Sequence, residues 1–156
     1  MAKYVWIVTL LTLYAAGVLA QQSGQRYDPA KDPTGMYSFL KEGEYVQLTY
    51  DEGQLSGYIS RFGDSNSDRG QFIDQFFSKA SLTGDRVTFA TKTIHGVWYE
   101  FEGTLSTQAG RQPSQEGYRL MKGMLKEHVA DANGRDNVRE RSVEFKSFPE
   151  GVSQPR

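Results

Sequence analysis

The chain has 156 residues, with 18 basic against 19 acidic side chains and no cysteine. A near-zero net charge without a basic run removes the electrostatic case for nucleic acid or an anionic membrane surface as partner. The missing cysteines exclude thiol catalysis, disulfide exchange and Cys-based metal sites, so the fold must hold without covalent staples.

Met1-Ala2-Lys3 is a short basic start, and residues 4–19 form an almost uncharged apolar run. Val18-Leu19-Ala20 before Gln21 puts small residues where a signal peptidase reads. Together these predict a cleavable secretory signal over residues 1–20 and a secreted or periplasmic location. The run is short for a span and has no basic stop-transfer flank, so no stable membrane anchor is expected after cleavage. Residues 21–34 are polar and contain Gly24, Pro29 and Pro33, which predicts a flexible leader; residues 149–156 predict a loose C-terminal tail.

Between them, residues 35–148 predict one β-domain. A pattern of apolar, any residue, Gly, any residue, apolar occurs three times: Leu55 to Ile59 around Gly57, Phe101 to Leu105 around Gly103, and Met121 to Leu125 around Gly123. In a strand those three positions share one face. A glycine on the apolar face leaves no side chain where the backbone must bend or approach another wall, as in a small sheet curling on itself.

The strands are taken in chain order. Residues 35–40, a Glu42-Gly43 turn, residues 45–50, a Glu52-Gly53 turn and residues 55–62 make the first three, with glycine supplying the positive φ of a tight hairpin. The turns pair Tyr37 with Leu48, Phe39 with Val46, Leu48 with Gly57 and Val46 with Ile59, apolar on apolar throughout. Residues 63–75 form a long connection whose end, Phe72-Ile73 with Phe76-Phe77, has the spacing of one helical turn.

Residues 76–82 and 87–93 flank Gly84-Asp85, pairing Leu82 with Val87 and Ala80 with Phe89. A three-residue loop Ile94-His95-Gly96 then pairs Thr91 with Tyr99 and Phe89 with Phe101. A two-residue His95-Gly96 turn would set Phe89 against Glu102 and is rejected. The sixth strand carries Tyr99, Phe101, Gly103 and Leu105; the last two are residues 118–129 and 138–148.

Evenly spaced hairpins predict an all-β, eight-stranded antiparallel up-and-down meander barrel, with an open two-sheet sandwich as the competing architecture. The meander puts the connections after strands one, three, five and seven at one end, the top. Inward residues near the bottom are apolar, among them Leu82, Leu105 and Phe145. Those near the top are Phe39, Ile59, Arg61, Phe76, Thr91, Thr93, Tyr99, Glu127 and Arg141, a mixture of aromatic wall, hydroxyls and charge that suits a small-molecule pocket at a barrel mouth. The same charges are also ordinary for a solvated rim, with Glu127 and Arg141 as an exposed pair.

This layout resembles the calycin-type barrels, the lipocalins and avidins. Gly35-Met36-Tyr37 opens the first strand where those families place Gly-x-Trp. Leu55-Ser56-Gly57-Tyr58 is similar to the third strand of avidins, and the connection after it lies where an avidin carries its ligand lid. Tyr37 stands where a Trp is expected, and the several Trp residues that wall a biotin site are missing, so biotin is not carried over.

His95 in a loop and His128 in the seventh strand share the top end, but a metal needs three or four ligands at set spacing, and no metal site or cofactor is expected. No Gly-x-Ser-x-Gly or phosphate loop is present. Glu100 and Glu102 point outward and read as solvated charges; with Trp98 and Tyr58 they form an outer aromatic-and-charge patch. Catalysis through Glu127 with Arg141 or His128 has no supporting motif. The resulting expectation is a non-catalytic barrel that binds a small, apolar or amphipathic molecule at its top end. The alternative is a fully packed structural or protein-interaction module.

Overall fold

The computed structural model describes residues 32–64, 66–131 and 133–151. The predicted signal segment, the leader up to residue 31 and residues 152–156 lie outside the described residues. Eight strands follow in sequence: β1 (Gly35–Ser38), β2 (Tyr45–Asp51), β3 (Gln54–Phe62), β4 (Phe72–Thr83), β5 (Arg86–Thr91), β6 (Val97–Thr107), β7 (Arg119–Ala130) and β8 (Asp136–Lys146). Every neighbour is antiparallel, and order in the sheet is order in the chain. No helix occurs among the described residues. The segment with helical spacing is the start of β4, where Phe72 pairs with Phe62 and Phe76 with Tyr58; pairing to the neighbouring strand overrides a local periodicity only one turn long.

The sheet curls into an open half-barrel. Its two ends meet at the bottom, through a bridge between Tyr37 and Ser147. Beside that bridge the Phe148 N–H donates to the Met36 carbonyl at 2.8 Å, and the Lys146 N–H donates to Ser38 Oγ at 3.0 Å. β1 has four residues and β8 eleven, so the upper part of β8 runs past the end of its would-be partner. The full closure expected of a barrel is therefore reduced to this one seam.

Side chains span the interior where hydrogen bonds do not. Phe77 stacks on Phe89 at 4.5 Å, Phe89 on Phe101 at 5.1 Å, Phe101 meets Phe145 at 5.4 Å, and Phe145 meets Phe39 at 5.5 Å. Phe39 is then edge-on to Tyr99 at 5.4 Å. This run of rings connects β4, β5, β6 and β8 with the chain just beyond β1. Val46, Leu48, Ile59, Met121 and Leu125 fill the rest and are fully buried.

The inward glycines make room for these rings. Gly103 and Gly123 lie directly opposite each other in the β6–β7 ladder. A Cβ on Gly103 would meet the Phe101 ring at 2.5 Å and the Gly123 Cα at 2.9 Å. A Cβ on Gly57 would meet the Phe77 ring at 2.8 Å.

Most predicted registers hold: Leu48 faces Gly57, Leu82 faces Val87 and Phe89 faces Phe101. The β1–β2 register differs by two residues, with Tyr37 on Val46 and Gly35 on Leu48. Six residues connect the two strands, and within them the Phe39 N–H bonds the Glu44 carbonyl and the Glu44 N–H closes on the Lys41 carbonyl. A shift of two keeps every side chain on its face.

Two irregularities do change faces. In β4, Phe77 pairs with Thr91 and Lys79 with Ala90, so Ser78 is an extra residue. At the top of β5, the rejected two-residue turn is present. Ile94 and Val97 exchange both backbone bonds around His95 (φ 50°) and Gly96 (φ 76°). One extra residue in 92–93 absorbs the difference, and Phe89 still faces Phe101.

Gly103→Val places branched bulk against Phe101 and the β7 backbone at once. It should destabilise the protein by about 1–3 kcal/mol in urea unfolding. A midpoint equal to the parent's would show that this face is not packed as described.

Candidate functional site

At the top end, β3, β4, β6, β7 and β8 deliver polar side chains into or beside the apolar interior. Arg61 is 3% exposed. Its Nε donates to Gln75 Oε1 at 2.5 Å, its Nη1 donates to the Phe62 carbonyl at 3.2 Å, and Asp64 stands 3.8 Å away. Its guanidinium lies 6.0 Å from the Tyr99 ring centre, within range of a cation–π attraction.

Gln75 is fully buried and uses both ends of its amide. The Nε2 donates to the carbonyls of Lys92 (3.1 Å) and Val97 (2.9 Å). Those two carbonyls flank the β5–β6 hairpin, so Gln75 fixes the irregular 92–93 segment to β4.

From Tyr99 the network continues outward. Its hydroxyl donates to Glu127 Oε1 at 3.3 Å, and Arg141 Nη2 donates to Glu127 Oε2 at 2.7 Å. Thr91 Oγ1 accepts the Tyr99 N–H at 3.0 Å. Burial, reinforced by the Glu127 charge and opposed by Arg61, pushes the Tyr99 phenol above the ordinary tyrosine range, so it stays protonated. On the other side Glu44, 4% exposed, accepts the backbone N–H groups of Lys41 and Phe62, each at 3.1 Å.

Of the nine residues singled out in the sequence, Phe39, Arg61, Thr91, Tyr99, Glu127 and Arg141 come together here, and Ile59 is buried in the core. Phe76 and Thr93 do not join them. Phe76 is 55% exposed on the outer wall beside Tyr58. Inward Ala80 and Leu82 place Phe76 inward by simple alternation, but the extra Ser78 reverses parity, so Gln75 and Phe77 point in above it. Thr93 is exposed because 92–93 leave the ladder.

Gln75 and Glu44 were missed by the sequence reading. The alternation of Ile73, Gln75 and Phe77 was a signal for the first. Nothing in the sequence around Glu44 marks a carboxylate that caps two backbone amides.

The network satisfies itself, as buried polar groups must. No group of three or more potential metal ligands occurs among the described residues. Both histidines face an aspartate: His95 Nδ1 is 2.6 Å from Asp68, and His128 Nδ1 is 2.6 Å from Asp136. His128 also stacks on Trp98 with ring centres 3.5 Å apart, on the outer face.

Two concavities lie on the wall. One, of about 550 Å³, is a cleft between β3 and β4 whose sides include Gly57, Tyr58, Phe76 and Phe77. The other, of about 740 Å³, is a depression over β4–β7 around Thr88, Ala90 and Met124. On the outer face of β2–β4, Tyr45 meets Tyr58 at 6.0 Å, Tyr58 meets Phe76 at 5.4 Å and Phe62 meets Phe72 at 4.5 Å. Ser60 lies on the same face and is 2% exposed, covered although it points outward.

Compared with protein-family models, curated proteins and solved structures, the chain matches none.

Replacing Gln75 by Met removes the acceptor of Arg61 Nε and the donor to two part-buried carbonyls, and should cost about 1–3 kcal/mol for each group left unsatisfied. Urea unfolding checks this, and a neutral substitution would show the amide to be dispensable. Three tyrosines resist ionisation. Burial is the main cause at Tyr37 and Tyr99, and Tyr58 is pushed up to about 12 by burial and then by its bond to Tyr45. A folded value above the unfolded one means that their stabilisation is complete below pH ~10 and is lost as pH rises through the folded values. Phenolate absorbance and circular dichroism should therefore change together above that pH. A single titration near pH ~10 with the fold intact would show these phenols to be accessible.

Proposed function

We propose that the protein is exported, by cleavage of the apolar N-terminal segment, and acts outside the cytoplasm as a non-catalytic binding module for a small, largely apolar ligand. In layout it stands with the calycin-type barrels. The ligand surface is the outer wall of β2–β4.

One observation carries this reading: Phe72 and Phe76, four residues apart on the outer face of one strand, are 56% and 55% exposed. They extend a patch with Tyr45, Tyr58 and Phe62, and contiguous exposed aromatic surface beside a concavity is where binding energy is available. A ligand at the mouth would first have to separate Phe39 from Tyr99 and displace bonds that Arg61, Gln75 and Glu127 already make. Those rearrangements subtract from its affinity.

The test uses the uncharged dye N-phenylnaphthylamine, whose emission rises in an apolar site. The parent should bind it. The double variant Phe72→Ser/Phe76→Ser should stay folded in water, with its urea midpoint lowered by the loss of the pairs with Phe62 and Tyr58, and should lose about tenfold or more in affinity. Two results overturn the proposal: no binding by the parent, which leaves a packed structural or protein-interaction module, or undiminished binding by the double variant, which returns the ligand to the mouth.

A further inference from the structure

The cleft between β3 and β4 has a definite origin. The β3–β4 ladder runs from Phe62 and Phe72 down to Tyr58 and Phe76 and stops. Immediately below, the extra Ser78 bends β4 toward β5, and its hydroxyl bonds the carbonyls of Ala90 and Thr91 at 3.1 and 3.3 Å. β3 continues straight to Gln54. The two strands part, and a bulge that ends pairing and re-aims side chains is the expected cause. Phe77, stacked on Phe89, packs against the bare backbone of Gly57. Tyr58 and Phe76 stand outward at the head of the gap.

The charges of this cleft are distinctive. Six lysines are described. Lys41, Lys122, Lys126 and Lys146 have carboxylate oxygens at 3.0, 2.7, 3.0 and 3.9 Å. Lys79 and Lys92 have no such partner among the described residues, and both line the cleft. No carboxylate lines it; Asp74 stands one outward position above Phe76. A chain with slightly more acid than base thus leaves, among the described residues, two lysines without a carboxylate partner at one aromatic-walled opening.

We infer that the β3–β4 cleft binds a flat apolar molecule bearing a single acidic group, its rings against Tyr58, Phe76 and Phe77 and its anion between the Lys79 and Lys92 ammonium groups. The inference rests on the outer-wall reading above and adds to it a subsite and a charge. An ammonium on a flexible stem suits carboxylate, sulfate or sulfonate alike, because it acts as a point charge rather than a geometric fork. The aromatic walls supply face and edge contacts for a planar body.

Two dyes with the same rings separate the terms: anilinonaphthalene sulfonate, which is anionic, and uncharged N-phenylnaphthylamine. The folded parent should bind the anionic dye more tightly, and this preference should shrink as salt is raised. Lys79→Glu/Lys92→Glu changes two exposed, unpaired side chains, so its urea midpoint should match the parent's. Its affinity for the anionic dye should fall about tenfold or more, with the uncharged dye affected less than about twofold. Phe76→Ser should weaken both dyes.

Equal affinity of the parent for the two dyes, or the same response of both to the lysine reversal, would overturn the charged subsite while leaving the wall reading in place. Failure of Phe76→Ser to weaken either dye would place the ligand away from the cleft. If the parent binds neither dye, the wall reading itself falls, and the subsite with it.

Discussion

Aromatic rings lying against inward glycines are the interaction on which the rest of the molecule depends. Phe77 packs on Gly57 and Phe101 on Gly103, each where a Cβ would collide with the ring. Glycine lets a strong bend and a large side chain occupy the same place. From these two anchors the rings continue through Phe89, Phe145 and Phe39 to Tyr99. An aromatic pair adds about 0.5–1.5 kcal/mol beyond its buried area. The run does what hydrogen bonds fail to do in this sheet, since backbone bonding joins its two ends at the bottom alone. In this half-barrel packed rings cross the interior.

The parts of the fold that were legible in the sequence are those fixed by short turns. Glu52-Gly53 and Gly84-Asp85 allow one register each, and Leu48 on Gly57 and Leu82 on Val87 follow. The β1–β2 register differs from the predicted one by two residues without harm, because side-chain direction repeats every two. What failed was local to β4 and the top of β5. Each holds one extra residue, and one extra residue turns every following side chain over, which is why Phe76 and Thr93 were placed inward. A hydrophobic pattern does not fix where such insertions fall. They are fixed by contacts distant in sequence: Gln75 bonding Lys92 and Val97, and the Lys92 N–H bonding the Phe76 carbonyl. The two errors thus share a physical cause, a junction between β4 and the β5–β6 hairpin that neither segment reveals alone.

The top-end residues were legible as a group but not in what they do. Arg61, Thr91, Tyr99, Glu127 and Arg141 do converge. Hydroxyls and charges among aromatic walls describe a pocket awaiting a ligand and a network already complete equally well. Gln75 adds to the network the acceptor for Arg61 Nε and the donors for the part-buried carbonyls of Lys92 and Val97. Arg61 is then a buried charge whose hydrogen bonds are made within the protein. Removing one partner of such a group is costly, although the group itself adds little net stability. Its service is to hold one arrangement of β3, β4 and β6.

The outer faces of the sheet divide along β4. Across β5–β8 the charges are matched strand to strand, Arg86 with Glu102, Lys126 with Glu140 and Lys122 with Glu144. These pairs are exposed, so they contribute little energy, but they keep that wall hydrated. The open upper edge of β8 is guarded in the same way. In a two-fold antiparallel pairing centred on Glu140, glutamate would face glutamate and Arg139 would face Arg141, which disfavours strand addition by a second copy. Across β2–β4 the outward positions instead carry Tyr45, Tyr58, Phe62, Phe72 and Phe76, with no comparable ladder of charge. Burying apolar area there removes no matched ion pair, whereas covering β5–β8 would dehydrate several. Apolar area is therefore less costly to cover on the aromatic side of β4, where the bulge splits β3 from β4 and leaves the cleft between them.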